Sequence, residues 1–269
     1  MTTVYVILGV LAFLTLLYLF LIFPTLRRHP HRRLLDGMHI AHRGLHDLND
    51  NTPENSLASF REAVKAGFAI ENDIHITADG EVVVFHDDTL TRMCGVDGKI
   101  EDMTLSQLRE LRLKNTDETI PTLRECLGVV DGQVPLLIEF KCNAHNYRAL
   151  CEAADALLQD YDGLYFVQSF FPSAMGWYRR NRKEICRGQL ASSFSKSSLK
   201  LRLLGSLIVN VTSRPDFISF DQQHQHWLPF RLVKWLGAFP VGWTFRSQEE
   251  YAAARPFRTY IFELFLPKQ

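Results

Sequence analysis

From Val4 to Phe23 the chain reads VYVILGVLAFLTLLYLFLIF, with no charged residue and Gly9 as its one breaker. About 20 apolar residues in a row is the length a helix needs to cross a bilayer's hydrocarbon layer. No Lys or Arg precedes the run, and the large Leu21, Ile22 and Phe23 close it, which is not the pattern of a cleaved leader. The run predicts one membrane span. From Leu34 onward the pattern changes. Short apolar runs alternate with stretches of helical spacing, as βα units around a parallel sheet do.

Strands are expected at Met38–Ala41, Phe68–Thr77, Glu81–Phe85, Leu136–Phe140, Leu164–Gln168, Gly188–Ala191, Phe217–Phe220, Pro240–Thr244 and Tyr260–Phe262. Helices are expected at Glu54–Ala66, Leu105–Leu111, Leu123–Val130 and Tyr147–Leu158. The first of these spaces Leu57, Phe60, Ala63 and Val64 on one face, with Gly67 as its stop and Asn51 or Thr52 as its cap. Ala78-Asp79-Gly80 reads as a tight turn between two strands. About eight strand–helix units favour a closed barrel over an open sheet. Residues 95–115 read as a small insertion over one end of it. The chain therefore divides into an anchor with a basic juxtamembrane segment, 1–33, and a barrel domain, 34–269.

Charge sets the expected orientation. Arg27, Arg28, Arg32 and Arg33 crowd the exit of the apolar run, and positive flanks stay on the cytoplasmic side. The barrel is thus expected to face the cytoplasm on a single-pass anchor, with membrane lipid as a partner through the helix and its arginines. Across 269 residues, Lys+Arg and Asp+Glu each number 30, so no basic excess points to nucleic acid. The five Cys show no paired spacing, which favours free thiols over a disulfide framework or zinc.

Four clusters carry candidate chemistry, each at a strand end, where a barrel presents its functional groups. Ala41-His42-Arg43-Gly44 sets a proton carrier beside a cationic fork suited to phosphate. Glu71 and Asp73 share one strand face with His75, since residues two apart point the same way. Buried carboxylates must be paired, protonated or metal-bound, and oxygen ligands suit Ca²⁺ or Mg²⁺. Phe85-His86-Asp87-Asp88 supplies a second histidine, a candidate partner for His42 in acid–base work. Glu139 and Lys141 share a face of IEFK, giving a third carboxylate and a second cation.

AHRG, PEN, the E-x-D strand with its T-x-D-G turn, VVxHDxxLxR, IPTL and IEFK together resemble the glycerophosphodiester phosphodiesterase family. The resemblance runs most strongly from Ile40 to Lys141 and continues through VQSF and Gly242-Trp243-Thr244. It implies a TIM-type (β/α)8 barrel with a divalent metal, Ca²⁺ or Mg²⁺, held by Glu71, Asp73 and Glu139. It implies His42 and His86 as the catalytic pair, Arg43 and Lys141 as phosphate contacts, and Trp243 as a pocket aromatic. The implied reaction converts small-molecule glycerophosphodiesters to glycerol 3-phosphate and an alcohol, by attack of a neighbouring hydroxyl through a cyclic phosphate. Lysophospholipase D-type cleavage of lysophospholipids is the alternative favoured by the anchor. A catalytically inactive barrel serving as a binding module is a third. The chain departs from the family at Ile261-Phe262-Glu263-Leu264-Phe265, where members finish with Thr-Asp and a proline, so an altered closing strand is expected. His224, His226 and Trp227, within Gln222–Trp235, read as surface or membrane-facing.

Overall fold

The strand candidates become β1 (His39–His42), β2 (Ala69–Ile76), β3 (Val82–Val84), β4 (Leu136–Phe140), β5 (Tyr165–Ser169), β6 (Arg187–Ala191), β7 (Phe217–Asp221), β8 (Phe239–Phe245) and β9 (Thr259–Phe262). The structure, a computed structural model, describes residues 1–26, 29–46, 52–194 and 197–268. β1 pairs in parallel with both β2 and β9, and β2-β4-β5-β6-β7-β8-β9 continues the ladder. Eight parallel strands therefore close into a TIM barrel. β3 stands outside it, antiparallel to β2 across the Ala78-Asp79-Gly80 turn. The closing strand is formed despite its departure from the family pattern.

The two-residue period of the strands sorts side chains into layers. Outward-facing Ile70, Ile74, Ile138 and Phe140 join the apolar cluster beneath the helices. Inward-facing Ile40, Ala69, Leu137, Phe166, Phe217, Val241 and Ile261 plug the lower barrel. One repeat further along the same strands stand His42, Glu71, Glu139 and Gln168, with His42 level with Glu71 and Glu139 level with Gln168. The polar layer thus rests on an apolar floor, at the C-terminal ends of the strands.

The first barrel helix spans Leu57–Ala66, three residues shorter at its start than the spacing suggests. Its cap is Ser56, in a reciprocal box with Ser59, and Gly67 ends it at φ 74°. Of the expected caps, Asn51 lies outside the described residues. Glu54 and Asn55 are released from the helix to face the barrel mouth. The helices Leu123–Val130 and Tyr147–Leu158 fall where periodicity puts them. The 95–115 segment forms a 3₁₀ turn, Ile100–Asp102, and a short helix, Leu105–Arg109. With Val83, Phe85, Leu90 and Met93, Ile100 and Leu108 build a small core of their own. Glu101 then accepts hydrogen bonds from Asn143 and Asn146 beyond β4, which sets the segment beside the mouth.

Thr2–Ile22 is one helix, long and apolar enough to cross a membrane as an anchor or a signal sequence would be. Only 6% of its most apolar window is buried, unlike a core helix. It meets the barrel through its last turns. Tyr18 and Leu19 pack on the core, Ile22 is fully buried, and Asn210 Nδ2 donates to the Ile22 carbonyl at 2.9 Å. Of the basic cluster, Arg27 and Arg28 lie outside the described residues; Arg32 donates to the Gly237 carbonyl.

Candidate active site

β1 ends at His42, and the chain then turns abruptly: Arg43 has φ 56° and Gly44 φ 82°. A side chain at Gly44 would meet Ser59 Oγ at 2.4 Å, so only glycine permits this turn against the first helix. The turn points His42 Nε2 into the mouth, 4.0 Å from Glu71 Oε2. Its Nδ1 lies 2.5 Å from Glu263 Oε2, at the exit of β9, and Arg246 Nη2 holds the other Glu263 oxygen at 2.7 Å. A carboxylate at Nδ1 requires the proton there, which leaves Nε2 as the free lone pair. Burial pushes His42 down to about 4, an effect the Glu263 hydrogen bond only partly offsets. Burial also raises Glu263, but the His42 bond and nearby charges outweigh it and hold the group at about 2.

His86 repeats this arrangement on the other side. Its Nδ1 is 2.6 Å from Asp87 Oδ1, and Arg92 Nε grips the second Asp87 oxygen at 2.6 Å. Arg92 continues to Glu54 by a bidentate pair at 2.8 and 2.7 Å, and Glu54 Oε1 accepts from Arg43 Nη1 at 2.8 Å. One chain of charge-assisted bonds thus ties the second histidine to the phosphate-sized fork beside the first. Burial lowers His86 as well.

Glu71, Asp73 and Glu139 converge between the histidines, with one oxygen of each within 4.8 Å of the others. All three are buried. Asn55 fixes Asp73, donating to Oδ2 at 2.9 Å and accepting from the Asp73 backbone N–H. Lys141 Nζ sits 2.6 Å from Glu139 and 3.0 Å from Asp73. That cation is not enough. Burial and the two neighbouring carboxylates push Glu71 well above the usual range, and burial takes Glu139 to about 7. Asp73 stays ionised because Lys141, His86 and Arg43 outweigh its burial. Three oxygen ligands with surplus negative charge are the donor set a hard divalent cation satisfies, so the residues fit a metal.

Around them lies a cavity of about 160 Å³, lined also by Gln168, Phe170, Leu190, Arg246 and Trp243. Phe170 meets the Trp243 ring edge-to-face at 5.7 Å. All eight candidate residues therefore come together: seven line the cavity, and the buried Asp73 adjoins it, level with Glu139 and 3.0 Å from Lys141. The Gln222–Trp235 stretch contributes none of its lining among the described residues. His224 instead pairs with Asp221 at 3.0 Å.

The profile of the glycerophosphoryl diester phosphodiesterase family matches residues 42–236, well over half of the chain. The chain belongs to that family. Glycerophosphodiester phosphodiesterase 1 of Homo sapiens is 35% identical over 160 residues, covering 54% of this chain and 46% of the relative. Lysophospholipase D GDPD1 of Homo sapiens is 37% identical over 123 residues, or 45% of this chain and 38% of that one. The chain spans about half the length, or less, of these curated relatives. Among solved structures, an Oleispira antarctica phosphodiesterase in complex with its product sn-glycerol-3-phosphate superimposes with a TM-score of 0.71. It is 25% identical, over 86% of this chain and 94% of that one. The family is metal-dependent, in keeping with the buried acidic triad.

Sequence reasoning gave no role to Glu54, Arg92 or Glu263. The first two stood within the quoted PEN and HDxxLxR motifs; the signal was there, but pairing across 38 residues is not periodic. Glu263 carried only its place after the last strand.

Proposed function

We propose that this chain is a membrane-anchored, metal-dependent phosphodiesterase that hydrolyses glycerophosphodiesters to glycerol 3-phosphate and an alcohol. The observation that carries this is the pair of carboxylate-backed histidines flanking three buried carboxylates, with Arg43 and Lys141 beside them. Glu71, Asp73 and Glu139 would hold Ca²⁺ or Mg²⁺, which supplies positive charge to the phosphoryl oxygens when bound. Arg43 and Lys141 bind the remaining oxygens and keep the phosphorus between the histidines. His42, neutral at pH 7, takes the proton of the attacking glyceryl hydroxyl at Nε2, and Glu263 stabilises the imidazolium that forms. His86 acts as the imidazolium, its Nδ1–H held by Asp87, and delivers its Nε2 proton to the leaving oxygen; water then opens the cyclic phosphate with the roles exchanged. Transient cyclic glycerophosphate in a ³¹P spectrum during turnover tests this order.

A cavity of about 160 Å³ holds roughly five waters. That suits a glyceryl group and one phosphate, with Trp243 against the glycerol carbons. An acyl chain would have to leave through the mouth. Lysophospholipid hydrolysis is the second reading, favoured by the apolar helix and the lysophospholipase D relative. Comparing glycerophosphocholine with lysophosphatidylcholine separates the two: faster turnover of the first is expected. No metal-dependent turnover of either, nor of bis-p-nitrophenyl phosphate, would leave only a binding barrel.

Glu263 acts through His42 as a positioning residue. Glu263→Gln is expected to cut kcat at least about tenfold with little change in KM, because the amide no longer stabilises the imidazolium. A stability loss without a kcat change would make Glu263 merely structural. For topology, we infer a single-pass anchor with the barrel, from 34 onward, in the cytoplasm. The support is Arg32 and Arg33 at the helix exit. A reporter fused after Gln269, a residue outside those described, is expected to read as cytosolic; labelling from outside the cell would reverse the orientation.

A further inference from the structure

At the other end of the barrel, beside the exit of the apolar helix, three guanidiniums converge. Arg187 opens β6, Arg179 comes from the helix Pro172–Asn181, and Arg214 follows the short helix Asn210–Ser213. Their partners are chiefly main-chain carbonyls. Arg179 donates to Val211 and Thr212, Arg187 to Ser213 and Arg214, and Arg214 to Phe20 and Phe23 at 2.8 Å. Carbonyls orient a guanidinium but do not neutralise it. The nearest carboxylate, Asp216, lies 3.5 Å from Arg187. Burial depresses Arg187 and Arg214, and the charge of Arg179 depresses both further; Asp216 offsets this at Arg187 only in part. One carboxylate against three guanidiniums leaves the cluster with surplus positive charge.

The shape around it is two-sided. A groove of about 530 Å³ runs between these arginines and an apolar wall of Phe20, Phe23, Pro24 and Leu26. It shares Thr25, Arg179 and Arg187 with a second groove of about 680 Å³, which adds Lys183, His29 and His31. The one further carboxylate there, Glu184, is already paired with Arg182. The apolar run ends at Phe23, so a spanning helix sets this groove at the depth of lipid phosphates.

We propose that this groove binds the phosphate of an anionic phospholipid between Arg179, Arg187 and Arg214, with its glycerol and upper acyl carbons along Phe20 and Phe23. The site is separate from the catalytic mouth, because parallel strands put the two at opposite ends of the barrel. It rests on the reading of Thr2–Ile22 as a membrane anchor, and it seats the barrel's N-terminal end on the bilayer.

The test uses the full chain in non-ionic detergent and native mass spectrometry, with phosphatidylglycerol and phosphatidylcholine of matched acyl chains. Wild type is expected to retain phosphatidylglycerol about tenfold or more over phosphatidylcholine, each basic residue near the headgroup giving about fivefold. Arg179→Gln/Lys183→Gln, both exposed positions, is expected to bring that ratio towards one, with an unchanged circular-dichroism melt as the folding control. Arg214→Gln supplies a second variant with the same expectation. Equal retention of the two lipids by wild type, or an undiminished ratio in both folded variants, would overturn the site. Displacement of the lipid by equimolar inorganic phosphate would make it a soluble-phosphate site and overturn the proposal as well. Alkaline carbonate extraction reads the anchor separately: a released chain removes the premise, whereas a retained chain indifferent to headgroup charge removes the groove alone.

Discussion

His42→Ala and His86→Ala are each expected to lower turnover of glycerophosphocholine by about 10²–10⁴-fold, the usual worth of a positioned proton carrier. Metal binding, read by calorimetry, should survive both, because neither imidazole belongs to the acidic triad. The double variant should lose far less than the product of the single losses, since residues acting as a unit cannot be lost twice. Burial of both rings also sets the pH dependence. Each histidine is held below the ordinary value of 6.5, with His42 at about 4. The acidic limb of the pH–rate profile should therefore fall below that of a free imidazole, not at neutrality as the residue type alone suggests. His75 is the control. It shares the carboxylate face of β2 but is fully buried, with Nε2 3.4 Å from the His86 carbonyl oxygen. His75→Ala should lower the melting temperature more than the rate. If it matched His42→Ala in rate while His86→Ala stayed near wild type, the proposed pairing would be wrong.

Chelation is expected to abolish turnover, and excess Ca²⁺ or Mg²⁺ to restore it; Asp73→Ala should not be rescued. Asp73 is the central case because Lys141, Arg43 and Asn55 all converge on it. Stability supplies a readout that does not depend on activity. Glu71 and Glu139 have folded values above their unfolded ones, Glu139 at about 7. The folded state then binds more protons than the unfolded chain, so metal-free stability falls as pH rises from about 4.5 through 7. Glu71→Gln removes one of the repelling groups. With chelator at pH 8 it should melt at or above wild type, and with excess divalent cation below it, because wild type gains more from binding. Wild type melting higher in both conditions would sink the metal assignment.

Much of this site was legible because it is written at short range. The period-two pattern of IENDIHIT and LLIEFK told inward from outward residues, and β2 and β4 then fixed the triad's geometry. Helix boundaries were less legible. Glu54–Ala66 has helical spacing throughout, yet the box between Ser56 and Ser59 starts the helix later and frees Glu54 and Asn55 for the mouth. What periodicity could not carry was pairing between distant segments. The route from His86 through Asp87, Arg92 and Glu54 to Arg43 joins two loops that each look merely polar. Glu263 shows the limit best. The departure from the family pattern at Ile261–Phe265 suggested a changed closing strand; β9 pairs in regular register with β1 but shifts register against β8 between Gly242 and Phe245, and its exit residue supports the first histidine.

That support has a consequence for how the protein is made. His42 and Glu263 are 221 residues apart, and β1 finds its second neighbour only when β9 appears. Contacts of such long range are slow to form, and a chain emerging from the ribosome holds the first without the second for most of its synthesis. Until then β1 has an unpaired edge, and the histidine at its end has no carboxylate behind it. Barrel closure and competence to move a proton thus arrive in one late step. A nascent chain released short of β9 would be an open sheet with its metal ligands in place and no working base.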